Sequence, residues 1–182
     1  MRNCILWLFV FCVNVLFAQK PEWIKPSPIG RSLFVQGLIN DKADSTKVLS
    51  GNVVVSLLND QDVVVEEYLL KANSLGVFQF HLKENAKYSA SFQTTGYIVR
   101  RIDFDTQDVP EKAWKKGCDI YLNIQLDERP EGFKDMVAEL PFATFKFDID
   151  ERIFLFDLEE TNRVAERYEE ELSRARAAQS HP

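Results

Sequence analysis

Two short clusters of polar residues in this sequence imitate metal sites. The first is His81-Leu82-Lys83-Glu84, which has the His-x-x-Glu spacing used by some zinc enzymes. A catalytic zinc takes three protein ligands, and the chain has one other histidine, His181, next to its last residue. Strand alternation puts His81 on the face opposite Phe78 and Phe80, so we expect a solvated surface histidine rather than a ligand.

The second cluster, Asp103 to Asp108, imitates the first half of a calcium-binding loop, in which carboxylate oxygens gather around the ion. Gln107 takes the third ligand position, and Asp108 stands where the loop needs glycine. Trp114 occupies the twelfth position in place of glutamate. These departures favour carboxylates that are simply solvated. We expect no metal site and no cofactor.

Nucleophilic catalysis is not indicated either. The sequence has no Gly-x-Ser-x-Gly elbow, no phosphate-binding glycine loop and no Cys–His pair. Serine, aspartate and glutamate are plentiful, but neither histidine is placed to act as a base. We therefore expect no catalytic residues and predict that the protein is not an enzyme.

Composition limits the class of partner. With 22 basic and 28 acidic residues among 182, the chain has a formal charge of −6, and it contains no basic run. An acidic chain of this kind argues against nucleic acid as a partner. The length is sufficient for one domain with a real core, or for one domain with an appendage.

Residues 1–18 have the pattern of a secretory signal peptide. Arg2 supplies the positive start, residues 5–18 are almost wholly apolar, and Ala18 precedes the expected cleavage point. The apolar run is shorter than the ~20 residues of a spanning helix, so no stable membrane span is expected after cleavage. Leu16 is large for a position so close to the cleavage point, which leaves a retained anchor as the alternative. The predicted location is periplasmic, secreted or otherwise associated with the cell envelope.

Cleavage would leave Cys118 as the single cysteine of the chain. One thiol cannot form an internal disulfide, so the fold must depend on burial alone. We interpret Cys118 as a buried apolar residue beside a strand, and an intermolecular disulfide is the alternative.

The region from residue 32 to residue 127 carries short strand patterns separated by turn signals, with no helix between them. Gly76 turns the chain into a strand in which Phe78 and Phe80 alternate with polar residues, and we expect a central strand with these two as core anchors. Residues 19–31 contain three prolines and form an extended lead. The pattern predicts a mainly β fold, a seven-stranded antiparallel sandwich. The seven strands are predicted at residues 32–40, 53–58, 63–70, 77–82, 88–93, 97–104 and 119–126.

Residues 105–117 interrupt this rhythm with a long loop that contains Pro110, Trp114 and three lysines, with one helical turn expected at residues 111–116. Long loops in compact domains are often functional. Trp114 is therefore either part of a binding surface or a plug that folds over the end of the sandwich.

Residues 128–182 form an extension of different character. Phe142 to Phe156 is typical of a β-hairpin that turns at Asp150-Glu151, and its aromatic side chains suit cross-strand pairing. Leu158 to Ala178 carries a narrow apolar stripe that predicts a helix and suits packing on the domain itself or on a partner helix. The stripe includes Val164, Tyr168 and Leu172.

Four glycine-containing segments mark strands and turns of the predicted sandwich: Val35 to Ile39, Gly51 to Leu57, Gly76 to Phe80, and Gly96-Tyr97. In these segments the chain resembles the carboxypeptidase regulatory-like domain family, over about residues 33–126. The resemblance implies a prealbumin-like (transthyretin-like) seven-stranded sandwich that serves as a binding, stabilising or assembly module without catalytic residues. The signal peptide and the phenylalanine-rich extension are similar to those of exported envelope proteins of the Bacteroidetes group.

We therefore expect a non-catalytic exported module of the bacterial cell envelope, with a structural or protein-interaction role and an envelope protein as its partner. Carbohydrate binding is the alternative, because exposed aromatic rings on sandwich loops stack on sugars, and Trp114 with Tyr97 or Trp23 would supply them. The predicted interaction residues are Trp114, Tyr97, Val164, Tyr168 and Leu172.

Overall fold

Two β-sheets pack face to face in the computed structural model, which describes residues 24–25, 30–134 and 138–179. The predictions for the signal peptide, Trp23, His181 and most of the extended lead lie outside these residues. A short helix, α1 (Glu111–Trp114), and a long one, α2 (Leu158–Gln179), accompany the sheets. The strands are β1 (Ser32–Asp41), β2 (Asn52–Leu58), β3 (Val64–Lys71), β4 (Val77–Lys83), β5 (Lys87–Gln93), β6 (Arg100–Asp105), β7 (Cys118–Leu126), β8 (Pro141–Asp148) and β9 (Ile153–Phe156).

The smaller sheet has the order β4-β1-β7. β1 lies in its centre, antiparallel to β4 and parallel to β7. Phe78 and Phe80 of β4 are buried in the core as predicted, but β4 is an edge strand, so its predicted central position is wrong. Alternation identifies the buried face of a strand and carries no information about how many neighbours that strand has.

The larger sheet has the order β3-β2-β5-β6-β8-β9. The predicted hairpin forms as β8 and β9, and its turn is held by Asp148 Oδ1, which accepts the N–H groups of Asp150 (2.9 Å) and Glu151 (2.8 Å). β8 lies parallel to β6. The fold is therefore mainly β with two sheets. In the described residues the two hairpin strands join the larger sheet, so the sandwich has nine strands and not seven. Two of its pairs, β1–β7 and β6–β8, are parallel where an antiparallel sandwich was expected.

Aromatic side chains fill much of the space between the sheets. Phe80 meets Phe104 edge to face at a ring-centroid distance of 6.3 Å, and Phe104 stacks on Phe145 at 5.7 Å. Trp114 of α1 is only 2% exposed and lies 6.2 Å from the ring of Phe154. The hairpin and the 105–117 loop therefore share one core with the sandwich, and Trp114 acts as the plug at its end.

Helix α2 packs on the domain through a second, smaller cluster of buried residues. Ile98 supplies the domain side of this contact, and its N–H donates to the carbonyl of Asp127 at 2.9 Å. This use of Ile98 explains why β6 begins at Arg100 and not at Tyr97 as predicted. The cluster consists of Ile98, Phe133, Tyr168, Leu172 and Ala175. Neither helix in the described ranges has both the length and the apolar character needed to cross a bilayer.

Candidate functional site

The outer edge of the β8–β9 hairpin concentrates large apolar side chains on the surface. Their exposed fractions run from 40% for Leu155 to 66% for Ile149. β9 is the last strand of the larger sheet, and within the described part of the chain no strand pairs with its outer side. We call this surface the hairpin edge; it consists of Ile149, Ile153, Leu155, Phe156 and Leu158.

The hairpin edge lacks the charges that usually protect edge strands. Charged side chains on an edge strand discourage pairing with another chain. The opposite edge of the same sheet, β3, also exposes valines and Leu69, but it interleaves them with Glu66, Glu67 and Lys71. β9 reads Ile-Phe-Leu-Phe and contains no charge. Of the two edges of the larger sheet, β9 is therefore the one open to another strand.

The inner face of β9 fixes this edge to the core. Phe154 meets Phe147 edge to face at a centroid distance of 5.5 Å. Phe156 meets Phe145 in the same way at 5.4 Å. Because these contacts hold the strand from behind, the hairpin edge is preformed, and a partner would not have to order it on binding.

The start of α2 borders the hairpin edge, and a buried carboxylate holds this helix in place. The Oδ2 atom of Asp127 accepts the hydroxyl of Tyr168 at 3.0 Å and the ammonium of Lys42 at 3.2 Å. Its Oδ1 atom accepts from Arg176 at 3.3 Å, and a guanidinium nitrogen of Arg100 lies 3.6 Å from Oδ2. We call Asp127 with these four partners the Asp127 cluster. It joins the β1 and β7 ends of the sandwich to α2.

Two aromatic rings complete the cluster around Arg100. The guanidinium carbon lies 3.9 Å from the ring centroid of Phe142 and 4.8 Å from that of Tyr168, within the range of cation–π attraction. Burial raises the pKa of Tyr168 well above its usual value. The phenol therefore stays protonated at ordinary pH and remains a donor to Asp127.

A second buried carboxylate, Asp41, organises the loop after β1. Its Oδ2 atom accepts from the ammonium of Lys47 and the hydroxyl of Tyr97, each at 2.9 Å. The hydrogen bond from Lys47, followed by that from Tyr97, holds the pKa of Asp41 well below its usual range. Tyr97 is therefore part of an internal hydrogen-bond network. Lys47 Nζ also lies 5.5 Å from the centroid of its ring.

Four of the five predicted interaction residues are buried in the domain, and the fifth, Tyr97, is half-buried. Trp114 is buried, so of its two predicted roles the structure favours the plug, and its ring is not available to stack on a sugar. Val164, Tyr168 and Leu172 are buried where α2 meets the sandwich, which leaves this stripe no exposed face for a partner helix. Sequence reasoning missed Asp127, Arg100 and the hairpin edge. The uncharged run at residues 153–156 was the sequence signal that could have predicted the hairpin edge.

In the two clusters that resemble metal sites, residues 81–84 and 103–108, the polar side chains make local contacts with neighbouring residues. His81 Nδ1 lies 3.3 Å from Ser32 Oγ, and its ring centroid is 4.8 Å from that of Phe34 on the outer face of the smaller sheet. Asp103 is bound by Arg101 at 2.8 Å. Within residues 24–25, 30–134 and 138–179, no group of three or more His, Cys, Asp and Glu side chains is arranged to hold a metal ion.

Glu171 of α2 gives the docking of this helix a dependence on pH. Hydrogen bonds from Arg174, and one from the N–H of Lys134 at 3.1 Å, lower its pKa from 4.5 to about 2. A carboxylate whose pKa is depressed on folding stabilises the fold above its unfolded pKa, and this contribution disappears as the pH falls toward the folded value. We expect the melting temperature of Glu171→Gln to depend less on pH than that of the parent between pH ~4.5 and ~2.

Thermal unfolding across that pH range measures this effect. Glu170→Gln is the matched control, because Glu170 is the exposed neighbour on the same turn. A pH profile of Glu171→Gln that coincides with that of Glu170→Gln would show that Glu171 does not couple the helix to pH.

These features define the chain as a β-sandwich protein with an integrated hairpin and a docked C-terminal helix. A scan of protein-family models and a search of curated proteins both found no match. Among solved structures, it is similar to the TIE protein of Bacillus anthracis, with 21% identity and a TM-score of 0.38 over 53% of this chain and 17% of that one. Catechol 1,2-dioxygenase from Acinetobacter sp. ADP1 has 12% identity and a TM-score of 0.39 over 63% of this chain and 58% of that one.

A third structure is the C-terminal domain of the shaft pilin spaA from Lactobacillus rhamnosus GG. It has 13% identity and a TM-score of 0.33, covering 54% of this chain and 98% of that domain. The chain spans less than two thirds of the length of the TIE protein and of the dioxygenase. With such low identities and TM-scores, these likenesses carry no argument about function.

Proposed function

We propose that this protein is a non-catalytic interaction module of the bacterial cell envelope that binds a protein partner on the hairpin edge. The observation that carries the proposal is the uncharged, exposed and preformed β9 strand at the end of a six-stranded sheet. An unprotected edge strand offers a row of backbone donors and acceptors to an incoming chain.

The mode of binding is strand addition. An extended segment of the partner pairs with the backbone of β9, and its affinity comes from main-chain hydrogen bonds. Ile153 and Leu155 point away from the core on alternate positions and supply the apolar contacts that select the segment. Phe156 and Leu158 extend this apolar surface toward α2.

The assignment to the envelope rests on two features of the sequence. Residues 1–18 have the pattern of an export signal. Residues 33–126 resemble the carboxypeptidase regulatory-like domain family, whose members act as binding or assembly modules. The two-sheet sandwich supports the resemblance at the level of fold, and the integrated hairpin lies outside the residues that resemble this family.

A differential capture experiment tests the proposal. The purified chain and the double variant Ile153→Glu/Leu155→Glu are used to capture partners from envelope fractions. Charges at both outward positions place carboxylates where the incoming strand must pack, so we expect the specific partner to be lost, with at least a tenfold reduction in recovery. Leu69→Glu on β3 is the matched control and should retain the partner, because it places a charge on the opposite edge of the same sheet.

Circular dichroism establishes that each variant keeps the parent's fold. Equal recovery of the partner with both variants would show that β9 is not the docking strand. If Leu69→Glu abolishes capture of the partner and the β9 substitutions do not affect it, the interaction belongs to β3 instead.

A further inference from the structure

A cavity of about 240 Å³ lies between helix α1 and the turn of the β8–β9 hairpin. It is separate from the hairpin edge except for Ile149, which lines both. Its wall combines apolar side chains with three cations and the Cys118 thiol. The apolar members are Pro110, Ala113, Phe147 and Ile149. The cations are Lys112, Lys116 and Arg152.

The three cations have no ion-pair partner within 4 Å among the residues that the structure describes. The carboxylate of Glu111 is held instead by Arg31 at 2.7 Å and by Lys115 at 3.4 Å. The carboxylate of Asp148 is used to hold the hairpin turn. Three unpaired cations therefore converge on one concave site in a chain whose formal charge is −6. Positive charges around a cavity raise the local concentration of anions in it.

The backbone at Arg152 adds to this observation. Arg152 has a φ of 61°, in the left-handed region where a side chain is disfavoured, and its N–H donates to the carbonyl of Asp148 at 2.8 Å. Glycine adopts this conformation without that cost. The hairpin turn thus has an arginine at the rim of the cavity, at a position where glycine would have a lower conformational cost.

We propose that this cavity binds a small organic anion, a carboxylate attached to a short apolar chain. The carboxylate lies among the three cations, and the apolar chain lies against Phe147 and Ala113. The apolar wall favours such a ligand over inorganic phosphate, because phosphate has no apolar surface to bury there. The cavity volume of about 240 Å³ limits the ligand to a short chain.

Isothermal titration of the full chain with octanoate tests the proposal. We expect saturable binding that weakens as ionic strength rises, because the cations at the rim are exposed to solvent. Lys112→Gln/Lys116→Gln should raise the Kd about fivefold or more, since it removes two of the three charges. Lys115→Gln is the matched control and should leave the Kd unchanged, because Lys115 does not line the cavity and pairs with Glu111.

Arg152→Gly separates binding from folding. It removes the third cation while relieving the backbone, so stability should be retained or increased while octanoate binding weakens about threefold. Octylammonium has the same number of carbon atoms with the opposite charge and should not bind. Octanoate should also slow the alkylation of Cys118, followed by mass spectrometry of its peptide, since the thiol lines the cavity.

Four outcomes would overturn the proposal: no saturable heat with octanoate, equal binding of octylammonium, equal affinity of the double lysine variant and Lys115→Gln, or inorganic phosphate binding as tightly as octanoate. The last would replace the organic anion by a simple anion site.

Discussion

Replacing Asp127 by alanine is expected to lower the free energy of unfolding by about 3 kcal/mol and to loosen α2 from the sandwich. The carboxylate is buried and is the common partner of Lys42, Arg100, Tyr168 and Arg176. Its loss leaves the largely buried guanidinium of Arg100 without a counter-charge, and an unpaired buried charge is more costly than the absence of the whole pair.

Urea unfolding followed by circular dichroism measures the loss. Limited proteolysis of the native protein reports whether cleavage within α2 becomes faster than cleavage in the sheets. Glu128→Ala is the control, because this neighbouring carboxylate is exposed and lies 3.6 Å from Lys47, and its removal should cost less than ~1 kcal/mol. Similar stabilities for the two variants would show that the Asp127 cluster does not hold the helix.

Replacing Gly37 by alanine is expected to cost about 3 kcal/mol or more, because β1 and β7 approach each other too closely there for a side chain. A Cβ atom at Gly37 would lie 2.0 Å from the carbonyl oxygen of Leu122 and 2.7 Å from the ring of Phe78. The first contact is with backbone, which cannot move aside by changing a rotamer. Relief requires β7 to shift away from the central strand of the smaller sheet.

Gly96→Ala separates this steric effect from the ordinary cost of losing a glycine. Gly96 has a φ of 83° with no atom within 4 Å of a built Cβ, so alanine there should cost only about 1 kcal/mol. Urea denaturation of both variants gives the comparison. Equal losses would mean that the smaller sheet accommodates the added methyl group at Gly37.

Much of the secondary structure could be predicted from local patterns. The first strand, expected at residues 32–40, is observed at Ser32–Asp41, and the terminal helix, expected to end at Ala178, ends at Gln179. The alternation of Phe78 and Phe80 correctly assigned their buried face. These features depend on neighbours a few residues apart, which the period of the apolar residues records directly.

The neighbours of each strand could not be predicted in the same way. The sequence of residues 141–148 carries no local signal that β8 pairs with β6 as well as with β9. The hairpin was therefore expected as an extension outside the sandwich. Asp127 lies 85 positions from Lys42, 49 from Arg176 and 41 from Tyr168, so no spacing rule reveals the Asp127 cluster. Trp114 gave an ambiguous signal because a loop tryptophan serves equally well as a plug or as a binding surface.

The position of β1 has a consequence for the order in which the chain folds. The central strand of the smaller sheet is the first to be made, and its parallel partner extends to Leu126. This sheet cannot be completed until the chain has been synthesised past Leu126, and pairing between strands so far apart in sequence is typical of slow folding. Until then one side of β1 has no strand paired with it.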